Sequence, residues 1–149
     1  MIEFHTLKKS DIDIIIPMMQ EFYAIDNYPI EPEITKKLFQ HFIENQNLGQ
    51  CWLISHDQIN VGYVIMTYIF SFEYQGRIAF LDELYLNKNA RGKGIGKSAL
   101  AFLHDQAIQN DLKIVYLEIE SNNEVAKKLY LSNDFIIHNR QLMKLTTKS

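Results

Sequence analysis

The segment Arg91-Gly92-Lys93-Gly94-Ile95-Gly96 holds three of the six glycines of this 149-residue chain, together with two cations. It follows an apolar run typical of a strand, residues 78–86, and it opens an apolar run typical of a helix, residues 95–108. Glycine lets backbone N–H groups approach an anion closely, and a helix N-terminus adds about half a positive charge. The segment therefore predicts a turn that holds a phosphate group.

Spacing argues against two common phosphate motifs. The Walker A pattern requires a glycine five residues before Gly96 of the Gly-Lys-Ser ending, and that position is Arg91. The dinucleotide pattern G-x-G-x-x-G fits Gly92 and Gly94, but its third glycine position is occupied by Lys97. A nucleoside triphosphate site or a dinucleotide site of these types is therefore not predicted.

Apolar periodicity predicts the order of the secondary-structure elements. Strands are expected at 2–7, 50–55, 61–70, 78–86 and 113–119, with one or two more within 135–145, and helices at 12–23, 33–45, 95–109 and 123–132. Pro17 predicts a start, a kink or an interruption of the first helix. Leu38, Phe39 and Phe42 are expected in the buried stripe of the second helix. This order predicts a single domain over residues 1–149, an α/β or α+β sandwich with a mixed sheet.

Composition and charge argue against several classes of protein. A net charge of −3 and an isoelectric point near 5.9 provide no basic surface for nucleic acid. No apolar run approaches the ~18–20 residues of a membrane span, and residues 1–5 do not begin a signal peptide. A cytoplasmic location is therefore expected. Cys51, the single cysteine, lies in an apolar run typical of a buried thiol. The five histidines lack metal-ligand spacing, so no metal is expected.

The pattern Arg-x-x-Gly-x-Gly at Arg91, Gly94 and Gly96 resembles the acetyl-CoA pyrophosphate loop of the GNAT superfamily of N-acyltransferases. Three other segments resemble that family too: residues 80–86 its fourth strand, residues 123–135 the second half of its cofactor site, and residues 138–144 its closing strand. The resemblance covers essentially the whole chain. It implies a mostly antiparallel sheet of six to seven strands with helices on both faces. One departure is Asn133-Asp134 before Phe135, where the family usually has glycine.

The resemblance implies that acetyl-CoA is the co-substrate. The residues that it assigns are Leu84, Tyr85 and Leu86 to the pantetheine arm, Arg91, Gly92, Lys93, Gly94, Ile95 and Gly96 to the pyrophosphate, and Asn123, Ala126 and Tyr130 to the second half of the site. The backbone N–H of Leu84 would donate to the thioester oxygen and stabilise negative charge there. Asn123 either bonds the pantetheine arm or caps its own helix.

An amine acceptor requires a base. A lysine-like amine has a pKa near 10.4, so about one molecule in 2,500 is neutral at pH 7. Glu83 is the first candidate for this base, Asp82 the second and Glu118 a weaker third. Asp82 and Glu83 point to opposite faces of a regular strand, and a bulge could exchange their roles. Tyr130 is the candidate acid for the thiolate leaving group.

These residues predict an N-acetyltransferase that moves acetyl directly to a primary amine. Acidic Glu83, Asp82 and Glu118, with Tyr23, Tyr28 and Tyr74, suit a small cationic amine, and the loop at 26–32 should shape acceptor choice. The alternative is a non-catalytic acyl-CoA-binding or sensing module on the same fold. The presence of both an acid and a base favours the enzyme. A polyamine, an antibiotic, an amino acid and a protein amine all stay open as acceptors, and so does a homodimer.

Overall fold

The computed structural model describes residues 1–148. The elements are β1 (Ile2–Thr6), α1 (Ile12–Ala24), α2 (Pro32–Glu44), β2 (Gly49–His56), β3 (Ile59–Ser71), β4 (Gly76–Leu86), α3 (Ile95–Gln109), β5 (Val115–Tyr116) and α4 (Glu124–Leu131). Short 3₁₀ helices lie at Lys9–Asp11 and Lys88–Ala90. Tertiary contacts group the chain into two units, residues 1–118 and residues 119 onward. The first unit holds the whole sheet with α1, α2 and α3, and the second holds α4.

The sheet is mixed and mostly antiparallel. Its strands follow the order β1-β2-β3-β4-β5, and only the β4–β5 pair is parallel. The two-residue turn between β2 and β3 places Asp57 and Gln58 at positive φ, which matches the twist of a tight hairpin. Because β4 and β5 are parallel and α3 lies between them in the chain, the predicted parallel crossover is present.

The strand count and two local predictions need correction. Within residues 1–148 the sheet has five strands, not six to seven, because 135–148 form no strand and 113–119 contribute only two residues. A strand requires a ladder partner, which alternation of apolar residues does not reveal. Helix α1 neither starts at Pro17 nor is interrupted there, and the kink, the third option, stays a prediction. Leu38 is 62% exposed, whereas its neighbour Phe39 is buried as expected.

Helices cover both faces of the sheet in the first unit. On one face, α1 and α2 pack on side chains of the central strands, including Tyr63, Ile65 and Tyr85. On the other face, Ile95 and Ala99 of α3 pack on β2 and β3. Side chains of β4 alternate between these two cores. Glu83 of β4 therefore lies on the same face as Tyr85, where the sheet meets α1 and α2.

Candidate active site

Strand β4 carries a β-bulge at Asp82. Ile65 of β3 lies opposite Glu83 and the next residue, Met66, lies opposite Leu81, so Asp82 is the extra residue. A regular strand would point Asp82 and Glu83 to opposite faces. With the bulge, both carboxylates line the same cavities. The bulge thus brings together the two residues that the sequence predicts as alternative bases.

Beyond the bulge, one edge of β4 has no strand beside it. The parallel ladder with β5 pairs only Ala79 and Phe80 of β4. On that side, residues 81–86 have no strand partner in the part of the chain that the structure describes. The other edge of β4 stays paired with β3 as far as Leu86. Half of the backbone groups in this stretch are therefore directed away from the sheet.

The open groups include those of Leu84 and Leu86. The N–H of Ala79 donates to the carbonyl of Ile114, just before β5. The N–H of Asn87 donates to the carbonyl of Val61 in β3. Backbone groups alternate along a strand, and the bulge shifts the alternation by one residue. Leu84 and Leu86 therefore direct their N–H and C=O groups to the open edge. The carbonyl of Leu86 accepts a hydrogen bond from Nε of Arg91 at 3.0 Å, in agreement with this direction.

The glycine segment forms an open turn before α3. Gly92 and Gly94 have φ of 76° and 79°, a left-handed conformation that favours glycine. A Cβ atom on either residue would meet no atom within 4 Å, so the turn faces open space. The first helical hydrogen bond joins the N–H of Ser98 to the carbonyl of Gly94. The N–H groups of 95–97, at the helix start, therefore have no acceptor within the helix. Ile95 is buried and anchors this turn to the sheet. Such a cradle of N–H groups fits a pyrophosphate.

Two tyrosines hold the carboxylate of Glu83. Tyr23 of α1 donates to Oε2 at 2.7 Å, and Tyr63 of β3 donates to Oε1 at 2.8 Å. Burial raises the pKa of Glu83, and the two hydrogen bonds oppose that rise. Burial and the nearby carboxylate raise the pKa of both tyrosines, so their hydroxyls stay protonated donors. Loss of hydration also raises the pKa of Asp82.

Two cavities open beside the bulge, and both are lined by Tyr23, Asp82 and Glu83. The acidic cavity, about 280 Å³, also includes Phe22, Asp26 and Tyr28. The apolar cavity, about 260 Å³, lies against α1, α2 and β3. Its apolar lining residues are Met19, Ile30, Leu38, Phe39, Phe42 and Ile65. Both volumes lie near the lower end of the ~300–1,000 Å³ typical of small-molecule sites.

Three residues named from the sequence lie outside this cluster. Glu118 is exposed beyond the end of β5 and lines neither cavity. The Tyr74 hydroxyl bonds that of Tyr116 at 2.8 Å, so it does not line the cavities either. The Cys51 thiol is buried, and burial raises its pKa. Tyr63 was not predicted as a site residue, because only the β3–β4 register shows that its hydroxyl reaches Glu83.

The second unit carries the other predicted site residues. Asn123 caps α4, since its Oδ1 accepts the N–H of Ala126 at 3.1 Å. Tyr130 is half-buried on α4, burial raises its pKa, and its ring contacts Phe135 edge-on. Asp134 has φ of 72°, so the Asn-Asp departure supplies the left-handed residue after the helix.

Residues 1–148 contain neither a candidate metal site nor a candidate membrane-spanning helix. No group of three or more His, Cys, Asp or Glu side chains is placed to hold a metal ion. No helix in this range has the length and apolar character needed to cross a bilayer.

Comparisons with known proteins identify the family. A model of the acetyltransferase (GNAT) family matches residues 16–135, so the chain belongs to that family. An uncharacterized N-acetyltransferase, YhfO of Bacillus subtilis (strain 168), is 26% identical over 129 residues, covering 86% of this chain and 85% of the relative.

Solved structures agree with this fold. An integron cassette protein from the mobile metagenome of Cole Harbour Salt Marsh is 25% identical with a TM-score of 0.88, over 98% of this chain and 91% of that one. A possible acetyltransferase from Clostridium difficile 630 also has a TM-score of 0.88, at 17% identity and 99% coverage of both chains.

Proposed function

We propose that this protein transfers the acetyl group of acetyl-CoA directly to a primary amine, and that the acceptor is a small molecule. The observation that carries this proposal is the bulge in β4, which places Asp82 and Glu83 beside two cavities. The open backbone groups of Leu84 follow directly along the same strand. A proton acceptor and a candidate donor to the thioester oxygen thus belong to adjacent residues, Glu83 and Leu84. Membership in an acetyltransferase family supports acetyl-CoA as the donor.

On the donor side, the open turn and the open edge of β4 supply the complementary groups. The N–H groups at the start of α3 would hold the pyrophosphate, with Gly92 and Gly94 leaving room for it. The backbone groups of Leu84 and Leu86 would bond the amides of the pantetheine arm, as an added strand would. The Arg91 side chain also holds the turn against Leu86, while binding of the pyrophosphate by the side chains of Arg91 and Lys93 remains a prediction.

On the acceptor side, Asp82 and Glu83 would hold the ammonium form of the amine and then take its proton. The neutral amine nitrogen bonds the acyl carbon, the carbon–sulfur bond breaks, and the nitrogen gives up its second proton. The thiolate leaves and takes up a proton to become the free thiol. Because Glu83 already accepts two hydroxyl hydrogen bonds, its carboxylate is oriented before the amine arrives. The roles of Asn123 and Ala126 in cofactor binding and of Tyr130 as the acid remain predictions. So do the cytoplasmic location, the homodimer and the absence of nucleic acid and membrane partners.

Release of free thiol from acetyl-CoA, measured over a panel of primary amines, tests this function. We expect amine-dependent release that falls by about 10²–10⁴-fold in Glu83→Gln, the range of general acid–base catalysis. Glu44→Gln is the matched control, since Glu44 is exposed, pairs with Lys9 and lines neither cavity. Acetyl-CoA binding without thiol release from any amine would instead indicate the non-catalytic binding module. A comparable loss of thiol release in Glu118→Gln would assign the role of the base to Glu118.

A further inference from the structure

The acids that line the apolar cavity are confined to the bulge of β4. Of its eleven lining residues, Asp82 and Glu83 are the acids, and Tyr23, Thr35 and Thr67 supply the other polar groups. The six remaining side chains are apolar. A cation placed among them would lose its hydration without gaining a partner, whereas a hydrocarbon group there would leave water favourably. The cavity therefore suits an apolar group attached to a cation.

Helix α2 exposes an apolar side chain at this cavity. Leu38 belongs to the same stripe as Phe39 and Phe42 but is 62% exposed, and all three line the cavity. Thr35, one turn before Phe39, is buried beside them. An apolar ligand would cover Leu38 and remove its surface from water.

The acidic cavity offers the competing possibility of a second cation. Asp26, in the loop after α1, lies with Tyr28 among its lining residues. Both side chains are exposed, so water and salt screen the charge of Asp26. The Glu83 carboxylate is better shielded and is held by two hydroxyls. A single cation at Glu83 with a hydrocarbon tail thus fits the two cavities better than an extended polycation.

From these contacts we infer that the acceptor is a primary amine bearing an apolar alkyl or aryl group. Its ammonium group would lie at Asp82 and Glu83, and its apolar part would lie in the apolar cavity against Leu38. The inference rests on the proposed function and adds the class of acceptor to it.

A homologous series of amines tests this directly. For methylamine, butylamine and hexylamine, which have similar basicity, kcat/KM should rise by roughly fourfold for each methylene that becomes buried. The diamine of hexylamine's length, 1,6-diaminohexane, should react more slowly than hexylamine, because its second ammonium would enter an apolar wall. Rates that are independent of chain length, or faster with the diamine, would overturn the inference. Absence of reaction with every amine would instead count against the proposed function.

Two single substitutions on α2 separate the cavity from general surface effects. Leu38→Ala should lower the ratio of hexylamine to methylamine kcat/KM severalfold, since it removes part of the wall. Ile34→Ala is the matched control, because Ile34 is 59% exposed on the same helix and lies outside the cavity. Equal ratios in the two variants would contradict the placement of the apolar group.

Discussion

At the scale of single residues, two hydroxyl donors orient the Glu83 carboxylate and affect its pKa. Tyr23 and Tyr63 come from different elements, and each bonds one carboxylate oxygen. Hydrogen bonds that favour the charged form lower a carboxyl pKa, while burial raises it. In Glu83 burial is the larger effect, so the group loses its charge at a higher pH than an ordinary glutamate does. As a base, Glu83 acts when deprotonated, so activity should fall as the pH falls through this raised pKa.

Tyr63→Phe should move the acid limb of the kcat/KM–pH profile to higher pH. The substitution removes a donor that stabilises the charged form, so the pKa of Glu83 rises further. A hydrogen bond to a charged group contributes about 1.5–3 kcal/mol, which corresponds to a shift of roughly one to two pH units. Rates measured from pH 5 to pH 9 with a saturating donor test this.

The control is Tyr68→Phe on the same strand. The Tyr68 hydroxyl is buried with no hydrogen-bond partner among residues 1–148. Its removal should leave the acid limb in place. An acid limb that does not move in Tyr63→Phe, or that moves equally in both variants, would show that Glu83 is not the titrating base.

Tyr68→Phe also makes a prediction about stability. A buried hydroxyl without a partner costs about 1–3 kcal/mol of desolvation, and phenylalanine removes that group. The free energy of unfolding should therefore rise by roughly 1 kcal/mol in urea titrations, with an unchanged slope. A decrease would mean that the hydroxyl has a partner in solution, such as a bound water.

At the scale of elements, the turn before α3 and the edge of β4 together form the expected donor site. The turn is open because Gly92 and Gly94 adopt left-handed φ and would direct Cβ atoms into free space. The edge is open because β5 leaves β4 after Phe80. Neither feature involves a catalytic side chain. If the donor binds as proposed, backbone conformation at these two elements controls its binding.

Substitutions at Gly94 separate backbone strain from loss of space. Gly94→Ala should lower the free energy of unfolding by about 1–2 kcal/mol, because alanine disfavours φ near +79°. Gly94→Asn should recover much of that loss, since asparagine tolerates this conformation. Both variants add a Cβ atom to the cradle, so both should weaken coenzyme A binding at least tenfold in calorimetry. If asparagine restored affinity along with stability, strain alone would explain the glycine.

The sequence predicts these elements unevenly, for physical reasons. The turn and α3 are local features, so glycine spacing and apolar periodicity were enough to predict them. The bulge at Asp82 depends on pairing with β3, and the sequence could offer it only as an option. The contact of Tyr63 with Glu83 depends on the same register and was missed. Leu38 was assigned to the core because periodicity does not show where a helix borders a cavity.

At the scale of the whole molecule, the fold class was predictable because the order of elements constrains it. The mixed sheet with helices on both faces, and the family, agree with the prediction. The number of strands was overestimated, because residues 135–145 look strand-like in sequence but form no ladder. The division into two units leaves the prediction of a single domain as a prediction.

Coenzyme A should stabilise the folded chain as a whole. A ligand that binds only the folded state at 100 times its dissociation constant adds about 2.7 kcal/mol. For a chain of this length, that corresponds to a rise of roughly 5–10 °C in the midpoint of thermal unfolding. N-acetylcysteamine thioester, which lacks the pyrophosphate, should give no comparable rise at the same concentration. An equal rise with both compounds would count against the role of the glycine turn.

Following the acetyl group itself tests whether acetyl is transferred to an amine at the Glu83 cavities. Carbon-labelled acetyl-CoA is incubated with the amine of the primary-amine panel that gives the fastest thiol release and with the wild-type protein or Glu83→Gln, and the products are resolved by NMR. We predict that the label appears in the amide of the amine with wild-type protein, and about 10²–10⁴-fold more slowly with Glu83→Gln. Label that remains in acetyl-CoA, is released as acetate, or enters the amide equally fast with both proteins would contradict the claim.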